Sequence, residues 1–101
     1  MWQFTVLYRR PDDPEAFDRH YREVHVPLTW KFPGLRRMTW AKPIASPEGF
    51  DEIYLMSTMY WDDLESLQAA LKSPARAAAW EDANSFRQYQ IGRYISEVED
   101  V

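Results

Sequence analysis

The order in which two kinds of periodicity alternate constrains this chain more than any single motif. Residues 2–9, WQFTVLYR, place Trp2, Phe4, Val6 and Tyr8 on one parity and Gln3, Thr5, Leu7 and Arg9 on the other, the pattern of a half-buried strand. At PDDPEAF the period changes. Asp13 reads as an N-cap, Pro14 as the first helical residue and Glu15 as a first-turn acid, and Phe17, Tyr21, Val24 and Leu28 follow at helical spacing. Pro27 has no N–H and pushes Val26 out of the helical region, so the helix is expected to end near His25. The turn FPGL, a strand in LRRMTWAK, the loop PIASPEGFD and a strand in EIYLMSTMYW come next and read as a hairpin. DDLESLQAALKS is a helix with Asp62 and Glu65 as a capping pair and Leu64, Leu67 and Leu71 as its stripe. Ser73 and Pro74 restart a shorter helix with Ala79, Trp80, Ala83 and Phe86 on one side, and RQYQIGRYISEV alternates as a last strand.

That order is β-α-β-β-α-β with one extra short helix. It predicts an α+β fold, a ferredoxin-like antiparallel sheet with its helices on one face, built as a single domain over residues 1–101. The strand after the loop is apolar on both parities: Ile53, Leu55 and Met59 on one, Tyr54, Met56 and Tyr60 on the other. A sheet apolar on both faces needs a second layer that no remaining helix supplies, and packing against a second copy in a homodimer is the simplest answer.

Composition removes several functions. A formal charge of −4 without a basic run argues against nucleic-acid binding. The absence of cysteine removes disulfides, thiol catalysis and thiolate metal sites. The N-terminal stretch reads as a first strand rather than a signal peptide, and no run approaches a membrane span, so a cytoplasmic protein without membrane partners is expected. No GxSxG, P-loop or GxGxxG is present, which leaves triad hydrolases and the usual nucleotide sites without support.

Both histidines fall in RHYREVHVPL, residues 19–28. On an α-helical wheel of about 100° per residue, His20 and His25 lie on opposite borders of the apolar stripe, about 140° apart. Zinc-binding pairs on a helix use i, i+4 spacing, so this i, i+5 pair predicts no metal and no close partnership between the rings. Tyr21 and His25, by contrast, are i, i+4 and share a face. His25 is pulled towards imidazolium by the helix C-terminus and towards the neutral ring by burial, a balance suited to acid–base work near neutrality. A histidine that merely bonds the last helical carbonyls explains the same spacing, and spacing alone favours it. Trp40, Tyr54, Tyr60, Trp80 and Phe86 are candidates for lining an apolar pocket, although aromatic residues at strand or helix spacing more often form plain core. Asp82 is a candidate for orienting a histidine or binding a polar ligand group.

FDRHYREVHVPL followed by FPGLRRM, with the later LQAALKSPARAAAWEDANSF, resembles the two signature blocks of the EthD-like family, named for ethyl tert-butyl ether degradation. The resemblance covers nearly the whole chain, with motif positions on His20, Tyr21, His25, Pro27, Pro74, Asp82 and Phe86. Trp80 and Glu81 depart from it, standing where small residues are more typical. The resemblance implies a subunit of the dimeric α/β-barrel superfamily, whose members include cofactor-independent monooxygenases, cyclases, isomerases and haem-degrading enzymes. Together these readings predict a homodimeric, cofactor-free enzyme acting on a small hydrophobic or aromatic carbonyl compound. His25 would be the acid–base group, Tyr21 a hydrogen-bond donor or orienter, and His20 a second polar group. The alternatives are a non-catalytic carrier of a hydrophobic metabolite and, behind it, a haem protein with one histidine as axial ligand.

Overall fold

A computed structural model describes residues 1–49 and 52–101; Phe50 and Asp51, at the end of the expected PIASPEGFD loop, lie outside the described residues. The strands are β1 (Trp2–Tyr8), β2 (Arg37–Ala41), β3 (Leu55–Trp61) and β4 (Gln90–Glu97). The helices are α1 (Pro14–His20), α2 (Val26–Thr29), α3 (Leu64–Leu71) and α4 (Pro74–Asp82). The strands form one sheet in the order β2-β3-β1-β4, and every neighbouring pair is antiparallel. This is the interleaved order of a split βαβ unit, as the alternation of periods predicts. No helix among the described residues is long and apolar enough to cross a membrane.

Strand parity decides which side chains meet the helices. Phe4, Val6, Tyr8, Leu55, Ser57, Met59 and Trp61 are buried on the helix-facing side, where Phe17, Tyr21, Leu67, Ala70 and Ala79 close the core. The outward side pairs Thr5 with Thr58, Leu7 with Met56 and Gln3 with Tyr60. It is more mixed than two apolar parities suggest, because the Thr5 and Thr58 hydroxyls hydrogen-bond to each other at 3.2 Å in its middle. On β4, the Tyr94 ring is half-exposed and lies over Gly92, where an added Cβ would come 2.6 Å from it.

Two local expectations need correction. Asp63, not Asp62, caps α3, its side chain accepting from the Ser66 N–H at 2.7 Å. More consequentially, the first helical run does not stop at His25. Residues Tyr21–His25 form a π turn, in which the Val26 N–H donates to the Tyr21 carbonyl, and the chain then continues as α2 to Thr29. A π turn pairs residues i and i+5, and its wider loop relieves the clash that Pro27 would otherwise make with the preceding turn. The proline therefore falls in the first turn of α2, where a missing N–H costs little.

Beyond α2 the chain reverses at Gly34, whose φ is +74°. A Cβ there would also stand 3.3 Å from the indole of Trp61, a fully buried ring whose Nε1 donates to the Pro33 carbonyl at 2.9 Å. Gly34→Ala is expected to lower unfolding free energy by about 1–2 kcal/mol, the penalty for a left-handed alanine. Urea denaturation reads that change as a lower midpoint at unchanged slope.

Candidate active site

The π turn and the end of α4 together build the most chemically distinctive site of the molecule. Helix α4 is set by Ser73, whose Oγ accepts from the Arg76 N–H at 3.3 Å, and by Pro74 in its first turn. Its inward side carries only methyl groups at Ala79 and, just past its end, Ala83, both buried, so it approaches the first helical run closely. Asp82, the last residue of α4, is thereby delivered to the histidines. His20 Nε2 lies 2.9 and 3.1 Å from the two Asp82 carboxylate oxygens, and His25 Nδ1 lies 3.0 Å from Oδ2. A carboxylate only accepts, so each ring nitrogen that reaches it carries a hydrogen. The histidines are therefore partners through one carboxylate. Their placement on opposite borders of the helix fails because the wheel assumes α geometry, whereas in a π turn residues five apart lie about one turn apart.

His25 is buried while His20 is 38% exposed at its side chain, so the pair spans the boundary between interior and solvent. The His25 ring packs edge-on against Phe86 with centroids 4.9 Å apart, and against Tyr21 at the same distance. With Nδ1 held by Asp82, Nε2 is the nitrogen left for chemistry. Burial pushes the His25 pKa below its ordinary 6.5, against the opposing pull of the Asp82 hydrogen bond and charge. Tyr21, fully buried, donates from its hydroxyl to Ser57 Oγ at 2.8 Å, and burial raises its pKa, keeping it protonated. Tyr8 behaves likewise: burial and the neighbouring Tyr21 push its pKa far up, and Gln90 Nε2 donates to its hydroxyl at 3.2 Å.

His25 and Tyr21 line a narrow cavity of about 40 Å³ between the sheet and α4, with Tyr8 and Met59 on the buried side and Arg76, Trp80 and Arg93 on the more exposed side. A separate, wider groove of about 320 Å³ runs past His20, Phe86, Phe17 and Tyr89. Trp80 thus lines the cavity, Phe86 walls the groove and packs against both histidine rings, and Asp82 binds the histidines. Trp40 and Tyr60 line neither space. Trp40 packs on Tyr21 at 5.8 Å with Arg22 and Lys42 over its ring. Tyr60, one residue from Met59 on β3, points to the face away from the helices and lies under Arg37. Ser57 and Tyr8 are polar members of the site that sequence reasoning passed over. The only signal for them was a hydroxyl on the buried parity of a strand. Among the described residues no three of His, Asp and Glu are grouped as a metal would require.

The fold is a small ferredoxin-like α+β fold, a four-stranded antiparallel sheet with its helices on one face, and it carries the His–Asp–His bridge. The EthD domain model matches residues 9–87, and the chain belongs to that family. It is 41% identical to an EthD family protein of Bacillus halodurans whose crystal structure superposes with a TM-score of 0.89, covering 98% of this chain and 99% of that one. It is 28% identical to an uncharacterized 11.0 kDa protein of the thcB–thcC intergenic region of Rhodococcus erythropolis, over 100% of this chain and 98% of the relative. The same fold recurs in SnoaB, a cofactor-independent oxygenase of Streptomyces nogalater, at 16% identity and a TM-score of 0.70, over 99% of this chain and 94% of that one.

Because His25 takes up its proton less readily folded than unfolded, the unfolded chain binds more protons below about pH 6.5. Its contribution to stability is complete above that pH and declines as the pH falls below it. A series of urea midpoints should show this slope in the parent and a shallower one in His25→Gln. Asp82→Asn removes the negative charge that favours imidazolium at His25, so the His25 titration followed by NMR should move lower still.

Proposed function

We propose that this EthD-family chain is a cytoplasmic homodimeric enzyme that works without metal or organic cofactor on a small hydrophobic or aromatic carbonyl compound. The observation that carries this reading is a buried imidazole held at Nδ1 by a carboxylate, its pKa pushed down by burial, with Nε2 left over beside a narrow cavity. In this reading Nε2 accepts a proton from the carbon next to the substrate carbonyl and later returns it to oxygen or to another carbon. The result is an isomerisation, a dehydration or a ring closure. Asp82 fixes the ring and stabilises the imidazolium that forms, which is the role a buried carboxylate plays behind any histidine base. Tyr21, tied to Ser57, holds the other side of the imidazole by packing. His20 anchors Asp82 from the solvent side.

A cavity of about 40 Å³ takes the reacting end of such a molecule and not a whole ring, so the rest of the substrate lies towards Trp80. Support for cofactor independence comes from SnoaB, described as a cofactor-independent oxygenase. The dimer is supported by the outward sheet face, where Leu7, Met56 and Tyr60 are only partly covered and Tyr94 is 53% exposed. One observation favours a second reading: the groove walled by Phe17, Phe86 and Tyr89 would hold an apolar molecule without bringing it to His25. In that case the protein is a carrier.

His25→Gln should lower turnover of any aromatic carbonyl substrate found by screening about 100-fold or more, as loss of a positioned base does, with sedimentation unchanged. Turnover that survives the substitution sinks the acid–base assignment. Ligand-induced shifts in NMR spectra that touch Phe17 and Tyr89 but leave His25 unmoved would favour the carrier. Met56→Lys combined with Tyr94→Lys should sediment as a monomer if the outward face is the dimer interface.

A further inference from the structure

The cavity beside His25 is bordered by cations that nothing in the acid–base reading uses. Arg76 on α4, Arg87 in the turn before β4 and Arg93 on β4 all converge on the Trp80 ring, their guanidinium carbons 5.2, 3.5 and 4.8 Å from its centroid. Arg93 pairs with Val6 in the sheet and so belongs to the helix-facing side, where Arg76 and Arg93 both line the cavity. The chain carries 16 acidic residues against 12 basic ones. Yet among the described residues none of the three arginines has a carboxylate within ion-pair distance. The hydrogen bonds they do make are to backbone: Arg87 Nη2 donates to the Trp80 carbonyl, and Arg76 Nη1 reaches the Leu71 carbonyl at 3.5 Å. Arg87 Nε is buried without a partner.

Three like charges gathered on one indole repel one another. The cost shows at Arg76, whose pKa is lowered by burial first and then by Arg93 and Arg87. Cation–π attraction to Trp80 offsets part of this, but it does not use the planar forks of donors that arginine presents. Those forks match the paired oxygens of a carboxylate or the oxygens of a phosphate. Arg87 is already engaged with Trp80; Arg76 and Arg93 are the two that face the cavity.

From this we infer that the ligand of the site is an acid: a small carbonyl compound whose oxyanion group, carboxylate or phosphate ester, is clamped by Arg76 and Arg93 beside Trp80, with its reacting end towards His25. The inference rests on the proposed acid–base role only for where the reacting end lies; the clamp itself is a binding site. It also gives Trp80 a use. In place of a small residue, the indole narrows the cavity and gathers the cations at its border.

The clamp is tested by isothermal titration of the full-length protein with benzoylformate, its neutral methyl ester and phenyl phosphate. An oxyanion probe should bind at least tenfold more tightly than the ester. Preference between benzoylformate and phenyl phosphate tells the carboxylate from the phosphate source. Arg76→Gln and Arg93→Gln should each weaken that probe about tenfold or more, the loss expected for a charge-assisted hydrogen bond. Arg93→Lys, which keeps the charge but not the fork, should fall between. Each variant is used only with a native-like thermal midpoint, and if one of the glutamine variants fails to fold, the other and Arg93→Lys decide. Equal affinity for ester and acids overturns the inference. So does unchanged acid binding in the folded arginine variants, or no binding of either acid at millimolar concentration. Binding is read without turnover, so the two proposals separate. Turnover surviving in His25→Gln overturns the acid–base role and leaves the clamp standing, while arginine-independent binding overturns the clamp alone.

Discussion

One carboxylate holds together the parts of this molecule that matter for chemistry. Asp82 reaches across from the end of α4 and accepts hydrogen bonds from two histidines on the first helical run. Those contacts join α4 to the first helical run within the layer that lies over the sheet, and they require the π turn that brings residues five apart to the same side. Remove the carboxylate and a buried imidazole loses the acceptor for its N–H, the costly kind of vacancy in a protein interior. The surrounding aromatic rings of Tyr8, Phe17, Tyr21 and Phe86, each within about 6 Å of another, supply the apolar walls of the site.

The fold was legible because its periodicities are clean. Phe4, Val6 and Tyr8 alternate without interruption, Asp13 and Pro14 mark a helix start by chemistry that operates within one turn, and Gly34 supplies the only conformation the reversal after α2 allows. Each of these signals is local, and local signals survive in a bare sequence. The site was half legible. Tyr21 and His25 at i, i+4 pointed to a shared side, and Asp82 was recognisable as a carboxylate able to orient a histidine. What misled was the assumption of uniform α geometry through a segment carrying Pro27. Proline reads as a stop, whereas the chain widens by one residue and goes on.

The aromatic candidates show a different boundary. Trp80 and Phe86 stand beside the histidines, but Trp40 and Tyr60 do not, and no pattern in the sequence separates the two pairs. Strand parity puts Tyr60 opposite Met59 with certainty once β3 is in place. The inward parity of β3 also carries Ser57, a small polar residue whose partner is Tyr21, 36 positions earlier. The arginines around Trp80 were invisible for the same reason. Arg76, Arg87 and Arg93 come from three separate elements, and only the antiparallel pairing of β4 with β1 brings the last of them beneath α4.

The outward face of the sheet carries a consequence of its own. Gly92 has no side chain, and the ring of Tyr94 occupies the space a Cβ would need. The tyrosine therefore lies down along β4 instead of standing off it, and the relief of that edge stays shallow from Thr5 outwards. Any larger residue at position 92 would lift the ring into a ridge. The absence of one methyl group thus governs how level a surface the sheet offers to whatever comes to rest on it.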